Sequence, residues 1–218
     1  MFDAVIFDMD GVLFDTERLG LIMQMQACAD LGHPIDKAMV MRTMGVSMAA
    51  GKAIMQGELG ADFPYEKMID RWTALMYEDM KKNGIPEKPG IRELLAVLSK
   101  MGIKTAVATS NNQSIVESYM KMAGLDNAFH AVVCGDTLKN SKPAPDIYLL
   151  AANRLGVLPH RCMGVEDSIN GIKSVRAAKM TCVMIPDLIP FTPELASYVD
   201  YCIATLTDLI PLLDEKEQ

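Results

Sequence analysis

The sequence predicts an α/β fold: a doubly wound parallel-sheet, Rossmann-like core with an inserted all-helical cap domain. From about residue 85 onward, short apolar runs alternate with amphipathic stretches, as strands alternate with helices in such folds. The runs are apolar on both faces, which is typical of parallel strands covered by helices. Residues 17–82 contain no comparable run, although AVIF precedes them at residues 4–7. A helical insert after the first strand is therefore expected.

The predicted strands of the core are short apolar segments. They are AVIF (4–7), IKTAVAT (103–109), AVVCG (131–135), CMGVED (162–167), TCVMIP (181–186) and YCIAT (201–205). Helices are expected between and after them, in NQSIVESYMKMAG (112–124), PDIYLLAANRLG (145–156), SINGIKSVRAA (168–178) and TDLIPLLD (207–214). Pro211 is expected to shorten or kink the last of these helices.

The predicted core domain comprises residues 1–15 and 85–218, and the predicted cap domain spans residues 16–84. Three cap helices are expected, at residues 17–32, 47–60 and 64–84, the second with Ser47 as its N-cap. Hinges are expected near Phe14–Thr16 and within NGIPEKPG (83–90), which holds two Gly and two Pro.

Composition and charge disfavour several classes of protein. The chain of 218 residues is long enough for one core plus a smaller domain. Its net charge of −7 disfavours nucleic acid and anionic membranes as partners, and no apolar run is long enough to cross a bilayer. No signal peptide fits before the first strand, and the five cysteines include no CxxC pair. We expect buried, reduced thiols in a cytoplasmic protein that is a monomer or a weak homo-oligomer.

Polar clusters follow three of the predicted strands, at the point where each strand ends. The clusters, with one further loop residue, are Asp8 and Asp10, Thr109-Ser110-Asn111, Glu166-Asp167, and Lys142 in the loop SKPAPD. Each one alone is ordinary, because acids close strands, Thr, Ser and Asn cap helices, and lysines lie at surfaces. Ligands of open parallel sheets bind at the carboxyl ends of the strands, so four such segments on one rim indicate a site.

The residue types of this rim suit phosphoryl chemistry. The carboxylates of Asp8, Glu166 and Asp167 are hard oxygen ligands of the kind that Mg²⁺ prefers, and Mg²⁺ would offset the repulsion among them. The Thr109-Ser110 pair and the N–H groups at a helix start can cradle a phosphate group, to which Lys142 adds a positive charge. A carboxylate beside a metal ion and a phosphate cradle can attack phosphorus and form an aspartyl phosphate.

The segments DMDGVLFDTE, ATSNN, SKPAPDIY and GVEDS resemble, in order and spacing, the four motifs of the haloacid dehalogenase (HAD) superfamily. The resemblance covers essentially the whole chain and is greatest to the β-phosphoglucomutase-like phosphatases, which carry a helical cap after the first motif. It implies a Mg²⁺-dependent phosphatase that acts on a small phosphorylated metabolite. Dehalogenases of the superfamily lack the aspartate found here at Asp10, because a halide needs no proton to leave.

The resemblance also implies a role for each matching residue. Asp8 would be the nucleophile. Asp10 would protonate the leaving alkoxide and then activate water, and its main-chain carbonyl would bind Mg²⁺. Asp8 and Asp167, with Glu166 beside them, would complete the metal site. The phosphate would be held by Thr109 and Lys142, with Ser110 and Asn111 next to them.

The cap departs from the pattern of the mutases. By approximate alignment, the cap histidine, arginine and lysine that mutases use on their sugar phosphate fall at Gly20, Met48 and Thr73. Arg42 or Lys52 could substitute, although a solvated helix surface is the simpler place for both. The cap is rich in Met, which predicts either ordinary core packing or an adaptable substrate pocket.

Three alternatives to the phosphatase remain open. A β-phosphoglucomutase-type isomerase would need a second phosphate anchor in the cap. A receiver domain that is phosphorylated as a signal would have no large helical insert after its first strand. A catalytically silent binding protein would not need an intact set of Asp8, Asp10, Lys142 and Asp167, and an assay of phosphate release separates it from a phosphatase.

Overall fold

The computed structural model describes residues 2–44, 46 and 48–214, so Ser47, the predicted N-cap, lies outside the described part. The described residues form a sheet of six strands: β1 (Ala4–Phe7), β2 (Lys104–Thr109), β3 (Ala131–Cys134), β4 (Cys162–Glu166), β5 (Thr181–Met184) and β6 (Tyr201–Cys202). All neighbouring strands are parallel, in the order β3–β2–β1–β4–β5–β6. The predicted α/β class is confirmed, and the strand order reverses direction at β1.

Eight α-helices accompany the sheet within the described residues. They are α1 (Thr16–Asp30), α2 (Lys37–Thr43), α3 (Met48–Leu59), α4 (Tyr65–Asn83), α5 (Ile91–Met101), α6 (Gln113–Ala123), α7 (Asp146–Leu155) and α8 (Ile169–Ala177). Left-handed glycines end three of them, at Gly102, Gly124 and Gly156. None of the described helices is both long and apolar enough to cross a membrane.

The central strands are buried, which explains why their sequences are apolar on both faces. β1 and β4 are buried along their whole length, and β2 is buried beyond its first residue. Helix α7 packs on β1, β2 and β3, while α8 packs on β4 and β5. A β-carbon at Gly164 would lie 2.6 Å from the side chain of Val175, so glycine permits the close approach of α8 to β4.

The chain divides into two compact units, Met1–Asp15 with Ile85–Gln218 and Thr16–Gly84. The first unit contains the sheet. The second unit contains α1 to α4 and has its own apolar core, in which Met39, Met55 and Met68 are buried. At least part of the methionine content of this helical unit therefore serves packing.

Some segments differ from the sequence prediction. The prediction omits α2, which Asp36 caps by accepting from the N–H of Met39 (2.9 Å), and α5, which lies between Gly90 and Gly102. The last segment, Leu206–Asp214, is a 3-10 helix that contains Pro211. A proline within a helix has no N–H to donate, which disfavours a regular α-helix there.

The cysteines are all free, as expected for reduced thiols. Cys28, Cys134, Cys162 and Cys182 are buried, but Cys202 is exposed, so the expectation of burial is wrong for that residue. Cys202 lies on β6, which has two residues and forms the edge of the sheet. An edge strand has a neighbour on one side only, and its side chains are less covered.

Candidate active site

The candidate site begins where β1 ends. The N–H of Asp8 donates to the carbonyl of Val165 (2.9 Å), which extends the pairing of β1 with β4 by one residue. The chain then turns, and the N–H of Phe14 donates back to the carbonyl of Met9 (3.0 Å). Asp8 and Asp10 are thus held at the carboxyl edge of the sheet, at the strand where its order reverses.

Gly11 lets the turn after β1 approach the end of β4. Its φ angle is +76°, in the left-handed region that side chains disfavour. A β-carbon at this position would lie 2.2 Å from Oδ2 of Asp167. Any larger residue at Gly11 would therefore displace the carboxylate of Asp167 or move the turn.

Lys142 joins three segments of the site. Its Nζ donates to Oδ1 of Asp8 (2.5 Å), to Oε1 of Glu166 (2.6 Å) and to the carbonyl of Ala108 (3.0 Å). Its side chain is only 7% exposed, so these contacts are made away from bulk water. The loop that carries Lys142 thereby connects to the ends of β1, β2 and β4.

Glu166 is fully buried and accepts hydrogen bonds at both carboxylate oxygens. Tyr148 OH donates to Oε1 (2.8 Å), and Oγ of Ser168 donates to Oε2 (3.1 Å). A β-carbon at Gly171 would lie 1.9 Å from the carboxyl carbon, so α8 presents a glycine where the carboxylate sits. The sequence prediction missed Tyr148, Ser168 and Gly171, all of which lie on segments it assigned to helices.

The pKa values reflect this buried cluster. Burial raises the pKa of Asp8 well above its usual range, while Lys142 acts in the opposite direction. Burial alone would lower the pKa of Lys142, but the carboxylates of Asp8 and Glu166 outweigh it, so its pKa is raised and it stays charged. Burial, together with Glu166, also raises the pKa of Tyr148, which remains a neutral hydrogen-bond donor.

The polar residues after β2 lie on the opposite side of Asp8 from Glu166, because β2 and β4 flank β1 in the sheet. Nδ2 of Asn111 donates to Oδ2 of Asp10 (2.6 Å), and the N–H of Asn111 donates to Oγ1 of Thr109 (3.2 Å). Thr109 is buried, whereas Ser110 is exposed. Asn111 thus contacts the predicted acid–base residue directly, a contact that the sequence did not indicate.

A second glycine shapes this loop. A β-carbon at Gly135, directly after β3, would lie 2.3 Å from the carbonyl oxygen of Ser110, and the N–H of Gly135 donates to the carbonyl of Asn111 (2.9 Å). The Thr109–Asn111 loop is therefore supported from the β3 side by a backbone contact that only glycine permits.

The carboxylates offer a place for a metal ion. One oxygen from each of Asp8, Glu166 and Asp167 lies within 4.8 Å of the others, and all three residues are buried. Lys142 supplies one positive charge against these three carboxylates, so a cation would improve the charge balance. The donor set consists of hard oxygens and fits Mg²⁺.

The three residues that align with the sugar-phosphate ligands of the mutases, Gly20, Met48 and Thr73, all lie in the helical unit. Trp72 covers Gly20, because its Nε1 donates to the Gly20 carbonyl (2.9 Å) and a β-carbon there would lie 3.4 Å from the indole. The hydroxyl of Thr73 donates to the carbonyl of Ile69 in its own helix (2.9 Å). Met48 is 59% exposed.

The two cations considered as substitutes are engaged in ion pairs on the surface of the helical unit. Arg42 pairs with Glu58 (2.7 Å) and Lys52 pairs with Glu66 (2.5 Å). Lys52, Met48 and Tyr65 also line a cavity of about 280 Å³ in this unit.

Comparison with known proteins identifies the family. The model of the haloacid dehalogenase-like hydrolases matches residues 5–185. The chain therefore belongs to the haloacid dehalogenase-like hydrolases, and the resemblance of its four motifs is confirmed.

Individual relatives span most of the chain. The phosphorylated carbohydrates phosphatase of Thermotoga maritima is 34% identical over 179 residues, which is 81% of either chain. Hexitol phosphatase B of Escherichia coli is 31% identical over 189 residues, covering 84% of this chain and 83% of the relative. Among solved structures, CbbY from Rhodobacter sphaeroides in complex with phosphate has a TM-score of 0.77 at 29% identity, covering 96% of either chain.

Proposed function

We propose that the chain is a Mg²⁺-dependent phosphatase that hydrolyses a small phosphorylated metabolite, such as a sugar phosphate, through an aspartyl phosphate on Asp8. The coarser statement, that it is a HAD-type phosphoric monoester hydrolase, rests on the family match and on relatives named as phosphatases. The finer statement rests on one observation. Asp8, Lys142 and Glu166 form a buried charged cluster at the carboxyl edge of the sheet, with Asp10 and Asn111 beside it.

In the first step, a carboxylate oxygen of Asp8 bonds to phosphorus while the ester P–O bond breaks. Asp10 gives its proton to the leaving oxygen, and its hydrogen bond from Asn111 orients it for that transfer. Lys142 offsets the negative charge of the phosphoryl oxygens, to which Thr109 and Ser110 would donate hydrogen bonds. The products of this step are the free alcohol and the aspartyl phosphate.

In the second step, Asp10 takes a proton from a water molecule, whose oxygen bonds to phosphorus. The bond from phosphorus to Asp8 breaks, which releases phosphate and restores the carboxylate. Mg²⁺ would be held by Asp8, Asp167 and the carbonyl of Asp10, with Glu166 beside them, and it supplies charge neutralisation when bound. Glu166 already accepts from Lys142, Tyr148 and Ser168, which favours a role in fixing Lys142.

The remaining parts of the proposal concern specificity and setting. A mutase would need a cationic side chain to bind the second phosphate group of its sugar bisphosphate, here called the far phosphate. The residue that aligns with the mutase arginine is Met48, which has no charge. The free thiols fit a cytoplasmic protein, and the charge of −7 supports the expectation that neither nucleic acid nor an anionic membrane is a partner. We expect the chain to be a monomer or a weak homo-oligomer.

The test is a phosphate-release screen over sugar phosphates, nucleotides and phosphoglycolate, with Mg²⁺ and with EDTA. We expect turnover of at least one small phosphate ester with Mg²⁺, loss with EDTA and recovery when Mg²⁺ is added back. Ca²⁺ should inhibit, because its looser coordination would misplace Asp8 for in-line attack. Full turnover in the chelated sample would contradict the metal requirement, and no release from any compound would favour a silent binding protein.

A further inference from the structure

A polar pocket lies in the sheet-containing unit, at the opposite edge of the sheet from the candidate active site. It has a volume of about 400 Å³ and is lined by His160, Arg176, Lys179, Met180, Thr181 and Asp200. Thr181 begins β5 and His160 lies just before β4, so this pocket, called here the Lys179 pocket, is at the amino edge of the sheet. Asp8 follows the carboxyl end of β1, on the opposite edge.

The Lys179 pocket carries a local positive charge on a chain whose net charge is −7. Arg176 and Asp200 neutralise each other, since Nη1 of Arg176 donates to both carboxylate oxygens (3.0 and 3.1 Å). Asp200 is also fixed by the N–H of Cys182 (2.8 Å). Within the part of the chain that the structure describes, the side chains of Lys179 and His160 have no hydrogen-bond or ion-pair partner, so the charge of Lys179 is not balanced locally.

The backbone at Lys179 supplies an independent observation. Its φ angle is +60°, and it is the only non-glycine residue with positive φ among the described residues, whereas eight glycines share that sign. Lys179 follows the end of α8: its N–H donates to the carbonyl of Arg176 (3.0 Å) and the N–H of Met180 donates to that of Val175 (3.3 Å). Glycine is the residue that fits this position without strain.

Residues with strained backbone conformations cluster at functional sites, so the conformation of Lys179 is a reason to ask what its side chain does. At Lys179 the side chain contributes an ammonium group at the rim of a pocket that already holds an arginine and a histidine. The volume exceeds what a single phosphate group fills, and the pocket is open to solvent, since His160, Arg176 and Lys179 are exposed. We propose that the Lys179 pocket binds a small phosphate ester through its phosphate group, with Lys179 and His160 as the principal contacts. This site is additional to the proposed catalytic site and does not depend on the activity assigned there.

The experiment is a titration of the ¹⁵N-labelled full-length chain with inorganic phosphate, followed by amide chemical shifts. We expect two sets of shifted resonances, one around Thr109–Asn111 and one around Lys179–Thr181, with separate saturation curves. A second titration uses glucose 6-phosphate with Asp8→Asn, so that the ester is not consumed. Binding of the ester at the second set, as tight as or tighter than that of phosphate, supports the proposal, whereas a second set that shifts with phosphate and not with the ester would overturn it and leave a site for the free ion.

Lys179→Gly removes the ammonium group and also relieves the backbone, so the variant should fold with an unchanged or higher Tm. We expect phosphate binding at the Met180 and Thr181 amides to weaken at least about tenfold, as for loss of a charge-assisted hydrogen bond. Binding at the Thr109 amide should not change. Lys100→Gln, which removes a lysine in the last turn of α5, is the matched control and should leave both sets unchanged.

His160→Gln provides a second variant that keeps hydrogen-bonding capacity and removes the imidazole. It should weaken the second set by a smaller factor than Lys179→Gly. The proposal is overturned if the Lys179–Thr181 resonances do not shift when those of Thr109 are saturated. It is equally overturned if Lys179→Gly binds phosphate at Thr181 with wild-type affinity.

Discussion

Ion pairs of similar length occur in both units of the chain, but in different surroundings. In the sheet-containing unit, Lys142 lies 2.5 Å from Asp8 and 2.6 Å from Glu166, and their side chains are 7%, 12% and 0% exposed. In the helical unit, Arg42 lies 2.7 Å from Glu58 with both side chains about half exposed. Distance alone therefore does not distinguish a site from a solvated surface. Burial does distinguish these two groups of ion pairs. A buried charge without a partner costs free energy, and buried groups have pKa values that depart from their usual range.

The largest expected effect is that of Asp8→Asn on activity. The amide has nearly the shape of the carboxylate but is not nucleophilic, so phosphate release should fall to background and no phosphoenzyme should form. Rapid-quench measurement of protein-bound phosphate is the test. Asp62→Asn, at an exposed position of the helical unit, is the matched control and should behave as wild type. Wild-type phosphoenzyme levels in Asp8→Asn would show that the nucleophile is assigned to the wrong residue.

Asp10→Asn should have a smaller effect of a different kind. It keeps the nucleophile and loses the acid and the base, each of which contributes a factor of about 10²–10⁴. With nitrophenyl phosphate, whose leaving group needs little protonation, the enzyme should still be phosphorylated and then stall before hydrolysis. A burst of nitrophenolate followed by slow turnover is the expected signal. If both steps slow equally with this substrate, Asp10 does not have two separate roles.

Substitution of Lys142 tests whether burial sets the contribution of an ion pair to stability. Lys142→Gln leaves two buried carboxylates without their shared cation, and we expect the free energy of unfolding to fall by about 3–5 kcal/mol. Urea denaturation in EDTA, which keeps added metal from compensating, measures the loss.

Arg42→Gln is the exposed counterpart and should cost less than about 1 kcal/mol under the same conditions. Similar losses for the two variants would mean that burial does not set the contribution of these pairs.

A further predicted difference concerns the fate of the proposed phosphoenzyme. An arginine fork on the far phosphate supplies two charge-assisted hydrogen bonds of about 1.5–3 kcal/mol each, and Met48 offers neither. Loss of about 1.4 kcal/mol already weakens binding tenfold. We therefore expect β-glucose 1-phosphate to give at least about ten times more free phosphate than glucose 6-phosphate. A glucose 6-phosphate dehydrogenase assay beside a phosphate assay, with a trace of the 1,6-bisphosphate, measures the ratio. An excess of glucose 6-phosphate would favour the mutase.

The fold and the charged residues of the site could be predicted from the sequence because their signals are local. An apolar run predicts a buried parallel strand, and the polar residues that follow it lie on one rim whatever the details of packing. Asp8 and Glu166 are found together for this reason, whereas Lys142 reaches them from the loop before α7.

The supporting residues could not be predicted, because their roles depend on contacts between segments distant in sequence. Tyr148 has the periodicity of an ordinary apolar residue of α7, and only the packing of α7 on the sheet brings its hydroxyl to Glu166. From the sequence, Gly171 is only a residue that disfavours a helix. In the structure, the carboxylate of Glu166 occupies the space that a side chain at this position would fill. The omission of α2 and α5 is of another kind. The ends of both helices are marked in the local sequence, by the N-cap Asp36 for α2 and by Gly90 and Gly102 for α5. Both helices could therefore have been predicted.

The central position of β1 has a consequence for how the chain folds. Ala4 pairs with Lys104 on one side and with Cys162 on the other, so β1, the first of the six strands along the chain, is separated from its nearer partner by about 100 residues and from its second by more than 150. Contacts this distant in sequence slow folding and leave an apolar strand unpaired in the meantime. Asp8 and Asp10 place negative charges directly after this strand, and charges that flank an apolar strand oppose its aggregation. In pulsed hydrogen exchange during refolding, the β1 amides should gain protection together with those of β4 and no earlier.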